Sequence, residues 1–143
     1  MKDFSYGVVP IYKKTTGLDE PYFLLIEQHG EFWSFPKGHK EEGESDFEAA
    51  RRELFEEVGI SDGNLIESEK FIECYSFQQK GITLDKTVSF YPFITDSLEV
   101  RIDKNEVTDS RWVRYEEAIK MLTFKETKAV LDQADNWLKT LKS

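Results

Sequence analysis

Residues 45–59, SDFEAARRELFEEVG, constrain the fold more than any other stretch of the chain. Ser45 followed three residues later by Glu48 is a capping box, which starts a helix. Gly59 is the residue type that most readily ends one, because it adopts the left-handed conformation without a Cβ clash. Between these signals Phe47, Ala50, Leu54 and Val58 recur at helical spacing and predict one apolar face that must be covered by something else. Asp46 and Glu48 sit in the first turn, where the helix dipole favours acids. Glu53, Glu56 and Glu57 are in the wrong place for that benefit. They fall within about 100° of arc on a face adjoining the apolar stripe, near the end of the helix that penalises negative charge by about 0.3–1 kcal/mol each.

The crowding adds a second cost. Like charges at i,i+3 and i,i+4 destabilise a helix by roughly 0.2–0.5 kcal/mol per pair, and two carboxylates about 4 Å apart repel by about 4 kcal/mol at an effective dielectric of 20. Only Arg51 and Arg52 lie nearby in sequence to offset the acids. A charge run on a helix is ordinarily a solvated face. A local penalty with no compensation in the chain is, however, expected where function resides. Hard divalent cations would compensate it: Mg²⁺ binds a few carboxylates together with substrate phosphates. The residues therefore point to a site for Mg²⁺ or Mn²⁺ that acts on phosphates.

Around this helix the chain reads as strands. SYGVVPIYKK and PYFLLIEQ form two, separated by the turn-rich TTGLDEP. GEFWSFPKG is a short aromatic segment running into a loop. SEKFIECYSFQQ and KTVSFYPFI predict a longer pair joined around Gly81, with Phe71, Glu73, Tyr75 and Phe77 on one face and Ile72 and Cys74 on the other. Cys74 is expected to be a buried strand thiol. SRWV is a further short strand. RYEEAIKML and FKETKAVLDQADNWLKTL predict two closing helices, the second with a core stripe of Val130, Ala134, Trp137, Leu138 and Leu141. Strands mixed with helices in the middle and at the end of the chain predict a mixed sheet with helices packed on its faces.

With 143 residues and no repeat or linker, one domain spanning 1–143 is expected. A single cysteine excludes an internal disulfide framework and a four-cysteine zinc site. No apolar run approaches the roughly 18 residues of a membrane span, and the first residues lack the apolar core of a signal peptide, so a cytoplasmic protein is expected. The net charge of −9 argues against broad binding to a nucleic-acid backbone or an anionic membrane. An anionic small substrate is still allowed, because a bound cation inverts the local field.

GHKEEGESDFEAARRELFEEVGI, residues 38–60, resembles the Nudix box, G-x5-E-x7-R-E-U-x-E-E-x-G-U with U aliphatic. Gly38, Glu44, Arg52, Glu53, Leu54, Glu56, Glu57, Gly59 and Ile60 fill every specified position. The resemblance implies an α/β/α sandwich with a mixed sheet, and hydrolysis of a nucleoside diphosphate linked to another moiety. It also implies that Glu53, Glu56 and Glu57, with the Gly38 carbonyl, hold the divalent metals, and that Glu44 and Arg52 form the ion pair that orients these ligands.

WSFPKGHKEEGE, CYSF, KTVSFY, NEV, RWV and FKETKAVL occur in the order seen in asymmetrical diadenosine tetraphosphate hydrolases of that family, which the chain resembles over almost its whole length. A dinucleoside polyphosphate needs aromatic faces for its bases and cations near the metals. The resemblance implies phosphate contacts for Lys37 and His39, which flank Gly38, and cleft positions for Tyr75 and Lys86. Phe124 matches an aromatic that stacks on adenine with the residue at Tyr75; stacking of this kind contributes roughly 1–3 kcal/mol per base. A tyrosine is common at the Phe124 position, so a hydroxyl contact is lost here while stacking is retained. Phe32 stands where animal members carry a phosphate-contacting histidine. Glu106, in DKNEVTD, matches a glutamate that supplies another metal ligand or the base. His29 sits in a turn and is expected to be a surface residue.

The expected reaction is attack of a water on phosphorus. Glu53, Glu57 and Glu106 serve as the catalytic carboxylates, Glu53 or Glu106 takes the proton, and diadenosine tetraphosphate gives ATP and AMP. A small-molecule substrate and a monomer are expected, with no stable nucleic-acid partner. RNA 5′-ends or an oxidised nucleoside triphosphate are the rival substrates. A sensor that binds nucleotide without cleaving it is the rival class, and the complete set of box acids argues against it.

Overall fold

A computed structural model describes residues 1–13 and 20–141. In chain order it contains β1 (Lys2–Tyr12), β2 (Tyr22–Gln28), β3 (Phe32–Ser34), β4 (Lys37–Gly38), α1 (Asp46–Val58), β5 (Asn64–Leu65), β6 (Phe71–Gln79), β7 (Ile82–Thr95), β8 (Val107–Val113), α2 (Tyr115–Met121) and α3 (Lys125–Thr140). Most of the turn expected at 15–21 lies outside the described residues.

The helix read from 45–59 forms as its termini dictate. Ser45 Oγ accepts from the Glu48 backbone N–H, the Glu48 side chain accepts from the Ser45 N–H, and Gly59 closes the helix at φ 71°. Sheet pairing is mixed. β1 and β7 run parallel in an unbroken register from Lys2 opposite Asp85 to Tyr12 opposite Thr95. The other ladders, β1 with β2 and β4, β2 with β3 and β8, and β7 with β5 and β6, are antiparallel.

Alternation along the central strands divides the apolar residues between two cores. Val8, Leu24 and Ile26 pack with Ala50, Leu54 and Val58 of α1. Val9, Ile11, Phe23 and Leu25 pack with Ala118 of α2 and Val130, Leu131, Ala134 and Leu138 of α3. The result is the expected α/β/α sandwich with a mixed sheet.

Three expectations are corrected. Cys74 is exposed. α3 covers the Phe71–Glu73 side of β6, and among the described residues the opposite side, with Ile72, Cys74 and Ser76, is open. On α3, Leu131 joins the core stripe, whereas Leu141 lies past the end of the helix and is 49% exposed. β7 also begins four residues before the predicted KTV, because Ile82–Asp85 continue the ladder with β6.

Candidate active site

The parallel pair β1/β7 and the short strand β4 bring the ends of distant segments to one side of α1. Gly38 lies so close to the helix that a Cβ there would stand 2.2 Å from the Glu53 carboxyl carbon, a distance only glycine avoids. Arg52 ties the same region together. Its guanidinium donates two hydrogen bonds to Glu44 (2.7 and 3.0 Å), and others to Glu53 Oε1 (3.0 Å), Glu56 Oε2 (3.1 Å) and the His39 carbonyl (2.8 Å). The planar fork suits this task, since paired parallel bonds fix a carboxylate in direction as well as in place. The helix thus supplies both the crowded acids and the cation that aims some of them.

Glu53, Glu57 and Glu106 converge, with one carboxylate oxygen of each within 4.8 Å of the others. Glu106 comes from the turn before β8, where its N–H donates to the Asp103 carbonyl. Glu57 is 1% exposed. Gln28 Nε2 donates to its Oε1 at 3.3 Å, and among the described residues its buried Oε2 receives no hydrogen bond. Burial, reinforced by the nearby charges of Glu53 and Glu106, pushes the Glu57 carboxyl well above the ordinary range. Burial also raises Glu53, against the opposing pull of Arg52. A buried carboxylate oxygen that no donor from the described residues reaches, beside two other acids, fits an oxygen-seeking divalent cation. Glu56 lies at the edge of this group, half-exposed and held by Arg52.

The acids line an open cleft of about 630 Å³, together with Lys37, Gly38, His39 and Lys40. His29 is on its rim, in a turn with φ 54°. A second cleft of about 560 Å³ adjoins it and shares Gln28 and Lys37. Phe32, Tyr75, Phe77 and Phe124 line this one. Phe32 and Phe124 face each other at 5.2 Å between ring centroids, and Tyr75 and Phe77 at 6.0 Å. Phe124 is the N-cap residue of α3 and is 46% exposed, so its ring is available to a ligand. Burial lowers the Lys37 ammonium, and the nearby Lys86 charge adds to the effect.

Lys86 lines neither cleft. It is 7% exposed, and its ammonium donates to Asp3 Oδ2 (2.8 Å) and Ser5 Oγ (2.6 Å) and stands 3.4 Å from His39 Nε2. His39 Nε2 in turn meets Asp3 Oδ1 at 2.9 Å. Burial works to raise the Asp3 carboxyl, but the hydrogen bonds from Lys86 and His39 outweigh it and hold it below its ordinary value. Asp3, Ser5 and Gln28 escape sequence reasoning because nothing local marks them. Glu73 and Thr127 are also in the aromatic cleft, with Thr127 Oγ1 donating to Glu73 Oε2 at 2.7 Å. Glu73 did leave a signal: an acid sharing a strand face with Phe71, Tyr75 and Phe77.

This fold and this arrangement of acids belong to a known class. Residues 1–134 match the NUDIX domain family, and the chain is a Nudix hydrolase. Among its relatives, the asymmetrical bis(5′-nucleosyl)-tetraphosphatase of Sus scrofa is 33% identical over 122 residues, which cover 81% of this chain and 80% of that protein. An mRNA-decapping enzyme subunit 2 from Arabidopsis thaliana is 32% identical over 100 residues, covering 68% of this chain and 26% of that protein. The crystal structure of C. elegans Ap4A hydrolase superposes with a TM-score of 0.75 at 26% identity, over 96% of this chain and 99% of that one.

Proposed function

We propose that the chain is a divalent-metal-dependent hydrolase of dinucleoside polyphosphates that cleaves diadenosine tetraphosphate asymmetrically to ATP and AMP. The observation that carries this reading is the contiguity of the two clefts. The carboxylates of Glu53, Glu57 and Glu106 converge, Glu57 Oε2 receiving no hydrogen bond among the described residues, and one step away, across Gln28 and Lys37, four aromatic side chains line a space of about 560 Å³. Anionic chain and base would lie side by side. The relative from Sus scrofa supports the same substrate class.

Glu53, Glu57 and Glu106 would hold the cation, Mg²⁺ or Mn²⁺, with Glu56 and the Gly38 carbonyl beside them. When bound, it would neutralise phosphate charge and acidify a water. Arg52, gripped by Glu44, keeps Glu53 and Glu56 aimed at the cleft. Lys37 and His39 face the phosphates and draw charge from the transition state. Lys86 acts from behind, its ammonium holding Asp3, and Asp3 holds His39. Glu53 or Glu106 takes the proton of the attacking water, which reaches phosphorus in line with the leaving oxygen. Tyr75 and Phe124 offer faces to a base. The whole chain acts as one domain and one monomer in this scheme.

The test is chromatography of the products of diadenosine tetraphosphate with Mg²⁺ in ¹⁸O water, beside RNA bearing a 5′-triphosphate. ATP and AMP, with label in one of them, and no turnover in EDTA are the expected results. Two ADP, or turnover of the RNA alone, would overturn the reading.

A further inference from the structure

The aromatic cleft has a polar floor that stacking does not use. Ser34, on β3, is 7% exposed, and its buried Oγ has no hydrogen-bond partner among the described residues. Glu73, on β6, is 4% exposed; Thr127, at the start of α3, donates to its Oε2, and among the described residues Oε1 receives no hydrogen bond. Both side chains line the same cleft as the four aromatic rings. Burying a carboxyl with unused bonding capacity is unfavourable unless something else completes it. Water can serve in the empty cleft, but flat aromatic walls over a polar floor have the shape of a seat for a planar heterocycle with a hydrogen-bonding edge.

We propose that Glu73 reads the edge of the base in this cleft, its Oε1 accepting from the exocyclic amine of adenine. The complementarity is chemical. Adenine places an amine donor beside a ring-nitrogen acceptor. A carboxylate oxygen accepts from such a donor. Thr127 positions the carboxyl by occupying its other oxygen. Burial raises the Glu73 carboxyl, while the Thr127 hydrogen bond and the charge of Lys37, which lines the same cleft, work the other way. Phe32, Tyr75, Phe77 and Phe124 supply sequence-tolerant stacking, so discrimination between bases falls to the floor. The inference rests on the proposed nucleotide substrate, since it is the nucleotide that brings the base.

The test compares binding of ATP with that of purine riboside 5′-triphosphate, which keeps the ring nitrogens but has no amine. Affinities are measured by titration calorimetry with Ca²⁺ to suppress turnover. Wild type should favour ATP by roughly 10-fold or more, as expected when a charged hydrogen-bonding group is left unmatched. In Glu73→Gln, Thr127 holds the amide oxygen and the amide NH₂ faces the base. An acceptor becomes a donor at unchanged size, and the ratio should move toward purine riboside triphosphate. Equal affinities in wild type, or an unchanged ratio in Glu73→Gln, would overturn the assignment. An ATP preference that Glu73→Gln abolishes, in a protein that leaves diadenosine tetraphosphate intact, would uphold the base reader and refute the proposed reaction.

Discussion

Removing a carboxylate from the acid cluster should make the metal-free protein more stable. Glu57 is 1% exposed, and burial with the repulsion of Glu53 and Glu106 pushes its carboxyl up to about 9. Without metal the folded state therefore holds a proton that the unfolded chain releases near pH 4.5. This contribution is fully present below about pH 4.5 and is lost progressively as pH rises toward 9. At pH 7 the free-energy cost is up to about 3 kcal/mol. Glu57→Gln removes the titration. The amide oxygen can still accept from Gln28, and the amide NH₂ can donate to Glu53, so little packing is lost. At about 2–4 °C per kcal/mol for a chain of this size, the variant in EDTA at pH 7 should melt roughly 5–10 °C above wild type, as followed by circular dichroism or calorimetry. Wild type should lose thermal stability between pH 6 and 8, and the variant less so; Glu53 and Glu73, also raised by burial, leave the variant part of the slope. With saturating Mg²⁺ the order should reverse, because wild type gains binding free energy that the amide cannot match. A variant that melts with wild type or below it in EDTA would refute the account of Glu57 as a strained, metal-seeking acid.

Arg52→Lys keeps one charge but loses the fork that joins Glu44, Glu53, Glu56 and the His39 carbonyl. Metal affinity or turnover should fall about 10- to 100-fold, read by Mn²⁺ titration and kcat/KM. Gly38→Ala drives a methyl into the Glu53 carboxylate and should abolish Mn²⁺ binding, measured by electron paramagnetic resonance, even in protein that retains its circular dichroism spectrum. Phe124→Ala should cost about 1–3 kcal/mol in binding of adenine nucleotides with the metal affinity unchanged. Lys86→Met leaves Asp3 half-buried without its ammonium partner, so the Asp3–His39 pair should loosen and KM for polyphosphates rise, measured by initial rates.

How far the sequence could be read depended on the range of each interaction. α1 was legible to the residue because capping boxes, dipoles and left-handed glycines act within one turn. The grouping of Glu53 and Glu57 followed from helical geometry, and Arg52 lay next to the acids it holds. Glu106 reached them only through family resemblance, since a fold must bring the β8 turn across. Cys74 shows a limit of pattern reading. Alternation says which residues share a face of β6, but only tertiary packing decides which face α3 covers. Lys86 shows another. Its partners Asp3 and Ser5 are 83 and 81 positions away, so a lysine that reads as a cleft or strand-edge charge is a buried post. The parallel register places Asp3 directly opposite Lys86, and no local signal announces a parallel pairing.

With the proposed substrate, the shared wall between the two clefts would make the site a ruler. Gln28 and Lys37 belong to both, so the separation between the aromatic seat and the acid cluster is set by the backbone of β2 and β4. A base held at one end would place the cut a fixed number of phosphates away, whatever lies beyond. Lengthening the phosphate chain would then change the size of the fragment that departs and leave the fragment that stays the same.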